Sequence, residues 1–219
     1  MANSPERIAA IVPAYNEENQ LGAVLKVLTR IDEIDEIIVV NDGSIDQTSA
    51  VARSYGVKVI DKEVNAGKGA AMQTGINSTD ADILLFIDAD LLGLEERHIR
   101  DLLNPLISDK KLMMTVGRFV GGRLATDLAQ ALVPTITGQR AVRRAFFEGL
   151  SDLSDTGFGV EIAITQHARR QGYKVEEVLI SEVSQVMKEE KLGKIAGFRA
   201  RLKMYADILK QIARNSKKK

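Results

Sequence analysis

Two patterns of apolar residues alternate along the first ninety positions. Short apolar runs, Ile8-Ala9-Ala10-Ile11-Val12, Ile37-Ile38-Val39-Val40 and Ile83-Leu84-Leu85-Phe86-Ile87, read as strands, and Val57-Lys58-Val59-Ile60 reads as a further short strand. Four to eight apolar residues without polar alternation predict a strand buried on both faces, as in a parallel sheet. Between them, Leu21, Val24, Leu25 and Leu28 keep helical spacing. A second helix is predicted through about Tyr55, with Ser44 or Asp46 as its cap and Gly56 as its stop. A third opens at Lys68, between two glycines, and runs to about Ser78. This alternation predicts a parallel sheet with helices on both faces. Polar loops follow Val12, Val40 and Ile87, the ends of three strands, where ligands gather in open α/β sheets.

Beyond Leu91 the pattern is less regular. Glu95 to Leu106 reads as a helix, Met113 to Gly117 as a strand, and residues 124–133 as a helix before Pro134. Gly138 to Arg144 reads as a polar, strongly basic passage, with Arg143 and Arg144 either near a phosphate or solvating a helix face. A helix from Phe158-Gly159-Val160-Glu161 to about Gln171, capped by Gly172, precedes a last strand from Tyr173 to Ile180. Ile195, Phe198, Leu202, Tyr205, Ile208, Leu209 and Ile212 then predict a basic amphipathic helix over 194–214, and the chain ends in three lysines. Such a helix can dock on the core, join two subunits or lie on an anionic membrane surface; a homodimer is expected, with peripheral membrane contact as the competitor.

Composition narrows the function classes. The 219 residues carry 45% hydrophobic and 27% charged residues, values of a globular protein with ample core. The formal net charge is zero, which gives no support to a nucleic-acid partner. No cysteine is present, which excludes disulfides and Cys-based metal sites. No stretch approaches the roughly 18 apolar residues of a membrane span, and the N-terminus does not read as a signal peptide, so a soluble cytoplasmic protein is expected.

Asp88-Ala89-Asp90 closes the apolar run at 83–87. A strand's period of two would point both carboxylates the same way, and a hard divalent cation would relieve their repulsion. Lys68 between Gly67 and Gly69 at a helix start suits a phosphate, without the spacing of a P-loop. Asp42, after a buried strand and before Gly43, could accept a hydrogen bond from a base imide or a ribose hydroxyl, or simply form a turn.

In combination these segments are far more specific. Pro13-Ala14-Tyr15-Asn16-Glu17-Glu18, Asn41-Asp42-Gly43-Ser44-Ile45-Asp46-Gln47-Thr48, Asn65-Ala66-Gly67-Lys68-Gly69 and Asp88-Ala89-Asp90 resemble, in order and spacing, the family 2 glycosyltransferases. The resemblance implies the GT-A fold, a Rossmann-like three-layer α/β/α arrangement with a mostly parallel central sheet. It implies one domain over 1–219: a nucleotide-sugar half at 5–92, an acceptor half at 93–193, and the basic helix and tail at 194–219. It further implies that Pro13, Ala14, Tyr15 and Glu17 hold the nucleoside and that Asp42 bonds the base, with Gly43 and Ser44 shaping that wall. Lys68 would contact the nucleotide or its phosphates, Asp88 the ribose or metal region, and Asp90 would be the chief ligand of Mg²⁺ or Mn²⁺.

The second half lacks tryptophan and therefore the Gln-x-x-Arg-Trp signature of the family's cellulose- and chitin-type polymerases. Gly121-Gly122-Arg123-Leu124, Gly138-Gln139-Arg140-Ala141 and Gly157-Phe158-Gly159-Val160-Glu161 instead resemble glucosyl-3-phosphoglycerate synthases and polyprenyl-phosphate hexosyltransferases. Both branches use acceptors bearing phosphate, which would engage Arg123 and Arg140, with Gln139 beside the donor. Where the phosphoglycerate branch supplies a histidine to the metal, Gln185 stands here, a weaker ligand. An inverting reaction would need a carboxylate base such as Asp155 or Glu161, whereas an ionised acceptor phosphate needs none. His98 and His167 fall on predicted helices and are expected to be structural or exposed. The expectation is a metal-dependent hexosyl transfer from a UDP- or GDP-linked sugar to a small phosphorylated acceptor. Transfer to a polyprenyl phosphate is the alternative, followed by nucleotide-sugar binding without transfer.

Overall fold

The computed structural model describes residues 5–120 and 137–185. The elements in chain order are β1 (Ile8–Ala14), α1 (Leu21–Leu28), β2 (Glu36–Asn41), α2 (Thr48–Ser54), β3 (Lys58–Asp61), α3 (Lys68–Asn77), β4 (Ile83–Phe86), β5 (Leu91–Leu92), α4 (Glu96–Ser108), β6 (Leu112–Val120), β7 (Arg140–Arg143), α5 (Val160–Gln171), β8 (Lys174–Ser181) and β9 (Ser184–Gln185). Short 3₁₀ turns at Arg144–Phe147 and Ser154–Gly159 join β7 to α5. Among the described residues, seven strands form one sheet in the order β3-β2-β1-β4-β7-β6-β8. Only β7 runs antiparallel to its neighbours.

The alternation of β1 explains the layers. Ile8, Ala10, Val12 and Ala14 face a core shared with Leu21, Val24, Leu25 and Leu28 of α1 and with Ile99, Leu102 and Leu103 of α4. Ala9 and Ile11 face the opposite core, with Met72 and Ile76 of α3 and Val160 and Ile164 of α5. A strand buried on both sides needs no polar residue, which is why its sequence does not alternate. α3 lies so close that a Cβ on Gly75 would stand 2.4 Å from Ile11 Cγ2. No helix among the described residues is long and apolar enough to cross a membrane.

One segment departs from the sequence reading. Gly138 to Arg144 was expected as a basic passage, but Arg140–Arg143 is a fully buried strand between β4 and β6. Its antiparallel sense pairs Arg140 with Phe86 at one edge of the sheet and Arg143 with Ile83 at the other. Arg143 and Arg144 therefore neither solvate a helix nor approach the strand exits. Arg143 donates to the Leu112 and Leu106 carbonyls and to Glu6, and Arg144 to the Ala81 and Thr79 carbonyls at 2.7 and 2.6 Å. They are braces for the far edge of the sheet. The predicted helix at 124–133, Arg123 and the segment 194–219 lie outside the described residues.

Candidate active site

β1 lies between β2 and β4, so the chain runs from β1 to one side of the sheet and later returns to the other. The carboxyl ends of β1 and β4 thus diverge at a topological switch point, where open α/β sheets form their crevice. The loops after Ala14, Asn41 and Phe86 all open there, and hydrogen bonds fasten the first two together. Asn16 N donates to Ser44 Oγ at 2.9 Å, Ile45 N to Asn16 Oδ1 at 3.0 Å, and Glu17 N to Thr48 Oγ1 at 2.8 Å. Ser44 thus joins the loops instead of capping α2, and Asp46 is not the cap either: the N-cap is Gln47, and Asp46 accepts from Thr48 N at 3.0 Å in the turn that leads into the helix. Pro13 and Ala14 end β1, Tyr15 is exposed on the loop, and Glu17 is half-buried beside α2.

Asp42 is buried, and its carboxylate organises the loop between β3 and α3. Oδ1 accepts from Lys62 Nζ at 2.6 Å and from Ala66 N at 3.1 Å, while Oδ2 accepts from Gly67 N at 2.7 Å. Gly43 at φ +74 lets this loop close: a Cβ there would meet Asn65 N and the Val64 carbonyl carbon at 2.7 Å. Lys62 carried no motif and was not legible as a site residue.

Lys68 heads α3 and joins the two halves of the chain. Its Nζ lies 2.6 Å from Asp88 Oδ1 and 2.6 Å from Glu161 Oε1, the latter 93 residues away at the start of α5. Burial alone would lower the pKa of Lys68, but the two carboxylates reverse that and raise it above its ordinary value. Burial would likewise raise Asp88, and Lys68, with the Gln139 amide and the Arg140 charge nearby, holds it below the usual carboxylate range. Arg140 is entirely buried and donates to the Thr137 carbonyl, with Asp88 and Glu161 as the nearest charges. Its Nε and Nη1 have no hydrogen-bond partner among the described residues. The four charges cancel, the condition under which ions tolerate burial.

Asp88 and Asp90 do not share a strand face. β4 ends at Phe86 and a turn spans 89–90, so the period of two stops before it reaches them. Asp88 is buried against Lys68 and Gly138, where an added Cβ would lie 2.3 Å from its Oδ2, while Asp90 is half-buried at the mouth. The backbone of Gln185 pairs with Leu91, next to Asp90, in the short ribbon formed by β5 and β9. Among the described residues no three His, Cys, Asp or Glu side chains are grouped to hold a metal ion. One or two hard oxygen donors do fit a cation that takes the rest of its shell from substrate phosphates and water, as Mg²⁺ commonly does. His98 Nδ1 accepts from Glu95 N at 3.1 Å to cap α4, and His167 Nε2 lies 3.1 Å from the Phe146 carbonyl; both are buried and structural. Asp155 is exposed on its 3₁₀ turn.

Comparison with known proteins identifies the class. Residues 9–167 match the glycosyl transferase family 2, and the chain belongs to that family. Dolichyl-phosphate hexose transferase of Haloferax volcanii is 30% identical over 188 residues, 79% of this chain and 81% of that protein. Glucosyl-3-phosphoglycerate synthase of Mycolicibacterium smegmatis is 30% identical over 116 residues, which are 49% of this chain but only 38% of that protein. The crystal structure of the Mycobacterium tuberculosis glucosyl-3-phosphoglycerate synthase with Mn²⁺, uridine-diphosphate-glucose and phosphoglyceric acid superposes with a TM-score of 0.72 at 26% identity, covering 94% of this chain and 79% of that one. The α/β sheet is therefore of the GT-A kind, and the chain is a glycosyltransferase by family.

Proposed function

We propose that this protein transfers a hexose from a nucleoside-diphosphate sugar to a small phosphorylated acceptor, assisted by Mg²⁺ or Mn²⁺. The observation that carries the reading is the Lys68 ammonium, set between Asp88 and Glu161 at the switch point of the sheet, with Asp90 in the turn beside them. A cation at a helix start beside a half-buried carboxylate is suited to a diphosphate and its metal. Asp90 would be the chief ligand. Asp88, held by Lys68, would stand beside the metal region, and Gln185 would complete the protein's share. When bound, the metal would neutralise charge that accumulates on the departing diphosphate. Lys68 supplies the protein's own positive charge to the same oxygens, and Glu161, at the acceptor end, orients a hydroxyl or takes its proton. Arg140 adds a positive charge beside Asp88 and Glu161, and Gln139 lies beside the donor. Acceptor phosphate binding falls to Arg123.

The acceptor in the superposed crystal structure, phosphoglyceric acid, supports this reading. A second reading, transfer to a polyprenyl phosphate at a membrane surface, is favoured by the dolichyl-phosphate hexose transferase, which matches most of both chains. Nucleotide release and product anomer, followed across donor sugars with phosphoglycerate or polyprenyl phosphate offered, separate the two. Turnover confined to the lipid, with vesicle binding lost on deleting residues 194–219, would reverse the order. Asp90→Ala is expected to abolish Mn²⁺-dependent nucleotide binding in calorimetry, and unchanged binding would remove the metal assignment.

A further inference from the structure

The contacts of Asp42 allow the base of the donor to be chosen. A carboxylate has about four acceptor positions, two on each oxygen. On Asp42, Lys62 Nζ and Ala66 N fill both positions of Oδ1, and Gly67 N fills one of Oδ2. One acceptor position is left. Beside it stands the Lys62 ammonium, whose side chain is 19% exposed and which spends one of its three N–H groups on Asp42. The free edge therefore offers a single acceptor next to a charged donor.

Guanine presents a carbonyl followed by two adjacent donors, its ring N–H and its amino group, and a carboxylate meets that pair with two oxygens. Uracil presents one N–H between two carbonyls, which calls for one acceptor flanked by a donor. We propose that Lys62 is the specificity-determining residue of the base subsite: by occupying Asp42 Oδ1 it admits a uracil nucleotide and excludes guanine, whose amino group would be left without an acceptor. An unpaired buried polar group is the strongest basis on which a site rejects a near-miss ligand. The surroundings suit a planar base, since Tyr15 is 45% exposed and Ile45 and Val64 are 91% and 71% exposed on loops bonded to the same wall. This inference rests on the nucleotide-sugar reading and narrows it.

Calorimetric titration of the full chain with UDP and with GDP, each with Mn²⁺, tests it without requiring turnover. The expected result is at least tenfold tighter binding of UDP. Lys62→Met, which returns Oδ1 to the edge, should weaken UDP and shrink the UDP-to-GDP ratio at least tenfold. Lys62→Gln, which keeps a neutral donor and serves where the methionine variant fails to fold, should give an intermediate ratio. Equal or tighter GDP binding by the unaltered protein overturns the proposal whatever the variants do. So does an unchanged ratio in the folded variants. Binding of neither nucleotide by the unaltered protein overturns the underlying nucleotide-sugar reading as well.

Discussion

Arg140 and Arg143 stand three residues apart on β7, both buried, at opposite edges of the same sheet. Arg143 spends its guanidinium on three backbone carbonyls and a carboxylate. Arg140 has one carbonyl, two carboxylates as charge partners, and two nitrogens without a hydrogen bond among the described residues. Buried polar atoms are almost always paired, so the pairing separates a finished brace from a group that retains capacity. The edge held by Arg143 has fixed its donors to the fold. The edge that holds Arg140 is the one onto which the loops after β1, β2 and β4 open.

The largest effect is expected at the site edge. Lys68→Met leaves Asp88 and Glu161 buried without their shared cation. It should reduce turnover by about 10²–10³-fold and destabilise the fold by roughly 3–5 kcal/mol in urea denaturation. Near-normal stability would mean that the pair is solvated. The next comparison exchanges the two arginines. Arg143→Met should cost about 3–5 kcal/mol of stability while the folded fraction keeps its kcat, whereas Arg140→Met should lower kcat more than stability. A reversed pattern would erase the distinction between the edges. Gly138→Ala should lower kcat by about 10²-fold and lower the melting temperature as well, though less than Lys68→Met does, because its methyl displaces the Asp88 carboxylate from its place against Lys68.

The smallest effect is a pH dependence. Burial lowers the pKa of both His98 and His167. The unfolded chain takes up protons near its ordinary histidine value of about 6.5 while the folded chain does not, so stability should fall as pH drops through that value. Asp88 acts lower on the scale: its lowered pKa gives stability that is complete above its ordinary value of about 3.8 and is lost only as pH falls through the folded value. Thermal melts between pH 7 and 3 would resolve the two phases, and His98→Gln should diminish only the upper one.

The elements up to β4 were legible, the strands and α1 from apolar runs and a helical period that burial dictates and α2 and α3 from their flanking turn residues and glycines, whereas the short β5 was not. Nor was β7. Ala141 and Val142 are its only apolar residues, and the arginines around them are buried by carbonyls of β6, α4 and the loop before β4, which no local pattern reveals. The candidate site was legible as a set of residues but not as a set of partners. Asp88, Lys68, Glu161 and Asp42 stood out by motif, yet the pairing of Lys68 with both Asp88 and Glu161 depends on how α3 meets α5. Lys62 and Gly138 gain their meaning only from the carboxylates they touch.

The ribbon of β5 and β9 has a consequence for the order of assembly. It joins Leu91 to Gln185, as Lys68 joins Glu161 across 93 residues. Contacts so distant along the chain pay their loop-closure entropy before any reward, so they form late. The β1–β2 and β2–β3 pairings join segments much nearer along the chain, Ala9 with Glu36 and Ile38 with Lys58, and can be complete first. A newly made chain would then hold a nucleotide wall before it holds a finished catalytic corner, and its maturation could be followed as nucleotide binding that precedes turnover.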